Sequence, residues 1–329
     1  MGNKLKFNEQ GIVPVNTTEK EVFMDVKQPK LIKGKIYANT HLQQLEHHLF
    51  AVGFVAEQLY LYFYSEKKNQ ANASFIAGCL HDIGKLDPSF QDWVVKPANR
   101  IYQAEDGQHI DSNKFSFEKH PRHNEISALI FQCLSNNVKG VSSTKATIKH
   151  AIYWHHAKPF RTKERDGFDT YGKIFNKLKT SLGDKAQNVL SEQSINMLNR
   201  VCDIDKRYRE VENSTLKKSY SQEFDDEVLA NYEHTPLPLY KDYSLSESMG
   251  DYKSKVLSNA HNNEVRACLI TADRWVSSLT AEDLSTYIKS KRLNQFVEEK
   301  LADNILVESS LESHIKACMN SFPDSLRSQ

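Results

Sequence analysis

The sequence predicts an all-α fold, with a polar insertion and further helices towards the C-terminal end. Three observations carry that prediction. Over most of the chain after residue 38, apolar residues recur at three- and four-residue intervals, the spacing of one helix face. Helix-stopping residues such as Gly84 and Pro159 punctuate the pattern. No internal repeat or low-complexity tract competes with it.

Taken in order, residues 1–38 include "GIVPVNTTEKEVFMDV" and "KLIKGKIYA", whose Pro, Gly and β-branched residues read as an extended leader or short strands. Helical spacing starts at Asn39 or Thr40, either of which can cap a helix. Leu42, Leu45, Leu49, Val52, Val55, Ala56 and Leu59 then share a face. A second helix is expected from near Asn72 to Gly84, where a left-handed glycine would close it. "HNEISALIFQCLS" forms a third and "STKATIKHAIYWHHA" a fourth, ended by Pro159. "YGKIFNKLKTSL" and "SEQSINMLNRVCDIDKRYREV" continue the series. Residues 212–255 are polar and contain the turn-prone "HTPLPLYKDYS", so they read as an insertion or lid. The helical pattern returns in "NNEVRACLITADRWVSSL", and the tail from Leu284 reads as two amphipathic helices.

A chain of 329 residues can bury one large core with appended segments. Its 39% hydrophobic and 26% charged residues are too mixed for wholesale disorder. No window approaches the ~18 apolar residues of a membrane span, and the start "MGNKLKFNEQ" lacks the apolar core of a secretory signal. A cytoplasmic protein without a membrane partner is expected. Cys79, Cys133, Cys202, Cys268 and Cys318 show no C-x-x-C spacing and read as reduced core residues. The net charge of +1 argues against coating nucleic acid by bulk electrostatics. Charge is nonetheless uneven: residues 85–165 carry 13 Lys and Arg against 8 Asp and Glu, while 221–234 are locally acidic.

Several metal-competent side chains fall on apolar helix faces. His48 lies three after Leu45 and four before Val52, whereas His47 points elsewhere. His155 follows Ala151 and Ile152 at four and three residues, and His156 projects about a hundred degrees further round. Asp273 sits four after Leu269 and three before Val276. An unpaired buried charge costs several kcal/mol, on the order given for isolated ions in protein interiors. With the second helix, which ends in His81-Asp82, four helices each direct His or Asp inward, and metal binding explains all of them together. Mixed imidazole and carboxylate ligands suit Mn, Fe, Co, Ni or Zn better than Mg. In the adjacent pair His81-Asp82 the imidazole can reach one cation while the carboxylate bridges to a second, about 3.5–4 Å away, an arrangement that activates water for attack on phosphorus.

The ordered set His48, His81-Asp82, His123, His155-His156 and Asp273 resembles the HD superfamily of metal-dependent phosphohydrolases, and within it the HD nuclease domain of the CRISPR-associated type I helicase-nuclease. "HDIGKLDPSFQDW" is similar to that family's HD-x-G-K followed by a Phe-Gln pair, here Phe90-Gln91. "YWHHAKP" resembles its paired histidines, and "ITADRWVSS" its distal Ala-Asp followed by a small hydroxyl residue, here Ser277. The resemblance covers about residues 36–285, loosely over 160–255.

The resemblance implies a nuclease domain over 39–285 and, over 286–329, a C-terminal helical segment leading towards a helicase module. The ending "NSFPDSLRSQ" is similar to the junction where such a helicase begins, which would make the chain an excised domain. His48, His81, Asp82 and Asp273 would hold one metal; Asp82, His123, His155 and His156 the second. For the third-helix ligand "EKHPRHNEIS" offers His120 and His123, and His123 is preferred because it directly precedes the helical run. Lys85 would steady a phosphate as a compact point charge. Ser277 reads either as a donor to Asp273 or as a plain helix-face serine, and His47 and His150 as second-choice or surface residues. Lys96, Arg100, Lys114, Lys119, Arg122, Lys158, Arg161, Lys163 and Arg165 are available to line a polyanion path. Trp93, Tyr153, Trp154 or Phe160 are candidates for base stacking, with Trp154 equally suited to the core. The implied activity is two-metal hydrolysis of single-stranded DNA in CRISPR type I interference. The implied partners are a helicase module, fused or in trans, and an RNA-guided surveillance complex. The chain has no G-x-x-x-x-G-K-[ST] loop to supply an ATPase itself. Two other readings are a phosphohydrolase of nucleotides or cyclic nucleotides and a non-catalytic scaffold.

Overall fold

The computed structural model describes residues 6–7, 14–15, 31–96, 121–136, 138–156, 170–223 and 248–302. The chain falls into two compact units, Met1–Lys33 and Gly34–Gln329. In the first, β1 (Lys6–Phe7) pairs antiparallel with β2 (Pro14–Val15).

The second unit is helical. Its elements are α1 (Leu45–Phe63), α2 (Lys68–Leu80), α3 (Pro88–Val94), α4 (His123–Ser135) and α5 (Lys145–Trp154). They are followed by α6 (Tyr171–Leu182), α7 (Ser194–Arg209), α8 (Met249–Ser277), α9 (Ala281–Lys289) and α10 over 293–302. Helix α1 is apolar nearly all round and buries thirteen of its nineteen residues, the signature of a central helix. It packs against α2, α7, α8 and α9. Each fully covered Leu49, Phe50 or Val52 contributes roughly 1.5–3 kcal/mol of transfer free energy. Arg209 ties α7 to this centre, its guanidinium 2.5 Å from Glu57 and 2.7 Å from Asp205. Among the described residues no helix is long and apolar enough to cross a membrane.

Local chemistry moves several boundaries. Helix α1 begins at Leu45 rather than beside Asn39 or Thr40. The Asn39 side chain accepts the N–H of His41 at 3.1 Å and Leu42 takes φ +57°, so the chain turns before it winds. Leu42 is thereby carried into a small cluster with Tyr37, Phe90 and Val94. Helix α2 starts at Lys68, not near Asn72, and ends at Leu80, immediately before the His-Asp pair. Gly84 is not a left-handed cap: it sits inside a 3-10 turn, Ile83–Leu86. Glycine is required there because a Cβ would lie 2.1 Å from the carbonyl oxygen of His123. Helix α5 ends at Trp154, before the paired histidines rather than after them.

The stretch expected to match the family only loosely, 160–255, contains core elements. Tyr171, Ile174, Leu178, Val189 and Leu190 are all fully buried. Residues 214–221 fold back onto the core: the Ser214 hydroxyl donates to Asp205 and the Ser221 N–H to the Leu134 carbonyl. Helix α8 begins at Met249, thirteen residues ahead of the apolar pattern at Asn262, since its first turns lie mostly exposed and carry few apolar residues. Residues 224–247, the rest of the expected lid, lie outside the described residues, as does the tail from 303. Cys79, Cys133, Cys202 and Cys268 are free and buried; Cys318 lies outside the described residues.

Candidate metal centre

Helix ends deliver the polar residues that periodicity aimed inward. His48 lies in the first turn of α1, His81 and Asp82 follow α2, and His123 opens α4. His155 and His156 lie just past α5, and Asp273 is one turn from the end of α8. Two groups of side chains result, each with donor atoms all within 4.8 Å of one another: His48, His81, Asp82 and Asp273; and Asp82, His123, His155 and His156. Asp82 belongs to both. Its Oδ2 lies 3.4 Å from His48 Nε2 and 3.2 Å from His81 Nε2, while Oδ1 lies 3.4 Å from both His123 Nε2 and His155 Nε2. Asp273 Oδ1 closes the first group at 3.4 Å from His48 and 3.5 Å from His81.

Hydrogen bonds at the far side of three rings settle which nitrogen faces inward. The Nδ1 of His81 lies 2.8 Å from the Gly78 carbonyl and that of His155 lies 2.6 Å from the Ile152 carbonyl. His48 Nδ1 lies 2.9 Å from Gln43 Oε1. A carbonyl oxygen can only accept, so each Nδ1 donates and each Nε2 is the nitrogen turned to the centre, with a lone pair for a cation once it carries no proton. Among the described residues, the Nε2 atoms of His48, His81, His123 and His155 are buried and make no well-directed hydrogen bond within the protein. Buried polar atoms are rarely left so. A cation with ligand bonds of about 2.1 Å would satisfy them, since its ligands stand roughly 3.0–3.4 Å from one another, close to the spacings above. The residues present thus fit divalent metal binding.

Electrostatics agree with the geometry. Burial opposes charge on Asp82, yet His81 and Lys85 outweigh it and hold the carboxyl well below the usual carboxylate range. Burial also works against a proton on His81, but Asp82 and Asp273 overcome it and push the imidazole up to about 10. Burial pushes His123 down to about 3, leaving it neutral. Lys85 is not a solvated turn lysine: it is buried, with its ammonium 2.7 Å from Asp82 Oδ2 and over the Phe90 ring.

Supporting contacts surround these groups. Ser277 donates to Asp273 Oδ1 at 3.2 Å, which decides between its two readings. The Gln91 amide pairs with both backbone groups of Tyr37 and also donates to the Lys85 carbonyl, bracing the turn that follows Asp82. The Gly84 N–H donates to Ser127 Oγ at 2.8 Å, joining that turn to α4. Gln43, which sequence reasoning missed, sits in a non-helical turn where no spacing rule points to a site.

Other expectations fare differently. His150 is buried rather than a surface residue and belongs to neither group; His47 is half-buried and also stands apart. Tyr153 and Trp154 are buried, 7% and 5% exposed, so neither is placed to stack on a base. Trp93 is half-buried, its ring 5.7 Å from Phe90, which lies 6.0 Å from the His123 ring. Lys96 is exposed and Arg122 half-buried. His120, Arg100, Lys114, Lys119, Lys158, Phe160, Arg161, Lys163 and Arg165 lie outside the described residues.

A protein-family model described as "Cas3, HD domain" matches residues 34–224, more than half of the chain. No curated protein and no solved structure matches it. Asp273 lies beyond the matched span, and it is the fold that carries it to His48 and His81.

Proposed function

The chain belongs to the family of Cas3 HD domains, and from that membership we propose that it is a two-metal nuclease which cuts single-stranded DNA in CRISPR type I interference. The observation that supports the reading best is the Asp82 carboxylate, with one oxygen turned to each group of histidines. His48, His81, Asp82 and Asp273 would hold one cation, and Asp82, His123, His155 and His156 the other. Bound there, the pair would supply Lewis-acid activation of water and of the phosphodiester. Five nitrogens against two carboxylates favour Mn, Fe, Co or Ni over Mg.

The chain's own residues define how a strand would arrive. His48, His81, Asp82, Lys85 and His155 are covered, whereas His156 is exposed and His123 and Asp273 are partly so. Among the described residues the open side of the centre is therefore at His123 and Asp273, next to His156, and a phosphodiester would approach there. A duplex is ~20 Å wide and held by pairing, while a single strand can bend inward and lay bases on aromatic rings such as Trp93. Lys85 would steady Asp82, on whose Oδ2 its ammonium rests, and remains the candidate to steady a phosphate as a compact point charge. A helicase module, fused or in trans and loaded by an RNA-guided complex, would supply the opened strand.

Incubation with circular single-stranded DNA and linear duplex, each with Mn, Co, Ni or Mg, tests the proposal. Cleavage of circles with Mn, Co or Ni, with duplex spared, is the expected result. Equal cutting of intact duplex would refute the strand preference, and strict Mg dependence would refute the metal assignment.

A further inference from the structure

Gln43 is fully buried and its side-chain amide is saturated with four partners. Its Nε2 donates to the carbonyls of Val276 at 2.8 Å and Leu279 at 2.7 Å, where α8 ends. Its Oε1 accepts from Asn39 Nδ2 at 3.0 Å and faces His48 Nδ1 at 2.9 Å. The two ends of this amide cannot be exchanged. Backbone carbonyls only accept, so the nitrogen must point to α8 and the oxygen to His48. His48 must then carry its proton on Nδ1, which leaves Nε2 free to face Asp82 and Asp273.

We infer that Gln43 is a positioning residue of the metal centre: the end of α8 selects, through this one amide, the ring nitrogen that His48 presents. Val276 is three residues beyond Asp273, so the helix segment that places one carboxylate of the first group also orients a histidine contributed by α1. The same turn is tied on its other side, where Gln91 holds Tyr37 and the carbonyl of Lys85. Residues 37–43 thus form a brace between α8 and the turn that carries Asp82. The inference deepens the metal-centre reading and rests on it for its consequence, though not for the Gln43–His48 bond itself.

Two variants of the full chain separate positioning from bulk stability. Gln43→Leu removes both functions of the amide; Gln43→Glu keeps an oxygen for His48 but sets another against the α8 carbonyls. Long-range proton–nitrogen spectra of the histidines report the His48 tautomer, in metal-free protein and after loading with diamagnetic Zn. Cobalt titration followed by visible absorption reports affinity. The wild type should show His48 protonated at Nδ1 in both forms. Gln43→Leu should lose that signature and weaken one cobalt-binding step about 10–100-fold, the usual effect of removing the partner of a ligating histidine. Gln43→Glu should melt earlier yet keep the Nδ1 proton and bind cobalt more tightly than Gln43→Leu. If Gln43→Leu keeps the Nδ1 signature and wild-type cobalt affinity, or if both variants lose affinity equally with an unchanged tautomer, Gln43 is only structural and the inference falls. If the wild type takes up no cobalt, the metal-centre reading fails instead, and the metal-free spectra still decide the Gln43–His48 link.

Discussion

Adding one methyl group at Gly84 should disable the centre without touching any of its polar side chains. A Cβ there would lie 2.1 Å from the His123 carbonyl oxygen, 2.9 Å from Ile126 Cβ and 3.0 Å from the His123 carbonyl carbon. Real Cβ contacts essentially never fall below 3.0 Å, so the first turn of α4 and the 3-10 turn must part by at least 3.0 − 2.1 = 0.9 Å. The obstacle is backbone and cannot swing aside. His123 opens α4 and stands 3.4 Å from Asp82 Oδ1, so the displacement acts directly on the second histidine group. Metal–ligand distances tolerate only about 0.2 Å, and a misplacement near 1 Å costs about a hundredfold in a positioned reaction. Overpacking adds roughly 1–3 kcal/mol of destabilisation and strains the bond from the Gly84 N–H to Ser127. Gly84→Ala should therefore melt a few degrees lower, stay folded, bind one cobalt weakly, and cleave circular single-stranded DNA about a hundredfold more slowly with Mn. Cleavage and cobalt affinity within threefold of wild type would refute the reasoning, because the close approach of α4 would then not be what positions His123.

Further outcomes follow from the same geometry. Asp82→Asn should reduce cleavage to background and lower metal stoichiometry in elemental analysis, since both groups lose a shared anionic oxygen; it should also cost about 3–5 kcal/mol in denaturant unfolding by depriving buried Lys85 of its counter-charge. A cation and a proton compete for the Nε2 of His81, whose pKa is raised to about 10, whereas His123, lowered to about 3, has no proton to lose at neutral pH. Metal affinity at the first group should accordingly strengthen as pH rises from 6 to 8, about tenfold per unit for one displaced proton, and calorimetry in buffers of different ionisation enthalpy should detect that proton. Trp93→Ala should weaken binding of single-stranded DNA by about 1–3 kcal/mol in a fluorescence titration while leaving cobalt affinity unchanged, as expected for a base-stacking ring outside the centre.

The helical architecture and the inward aim of His48, His155 and Asp273 were legible in the sequence because helix periodicity is a local property. A residue three or four positions from a buried leucine shares its face, whatever the rest of the chain does. The order of motifs around His81 and Asp82 likewise pointed to the family to which the chain belongs. Exposure of individual residues was less legible: His150 and Lys85 are buried, and nothing in their neighbours distinguishes them from surface residues. The beginning of α1 was misplaced because Leu42 takes a left-handed φ of +57° and the Ala38 N–H bonds the Gln43 carbonyl, a turn closed by the backbone that apolar spacing does not reveal. The assignment of one Asp82 oxygen to each histidine group, the contact that makes Gly84 necessary and the amide of Gln43 were decided only by the tertiary structure. Each depends on backbone brought together from distant positions, as in the bond from Gln43 to Val276 across 233 residues, and no short-range pattern encodes the distance between such atoms.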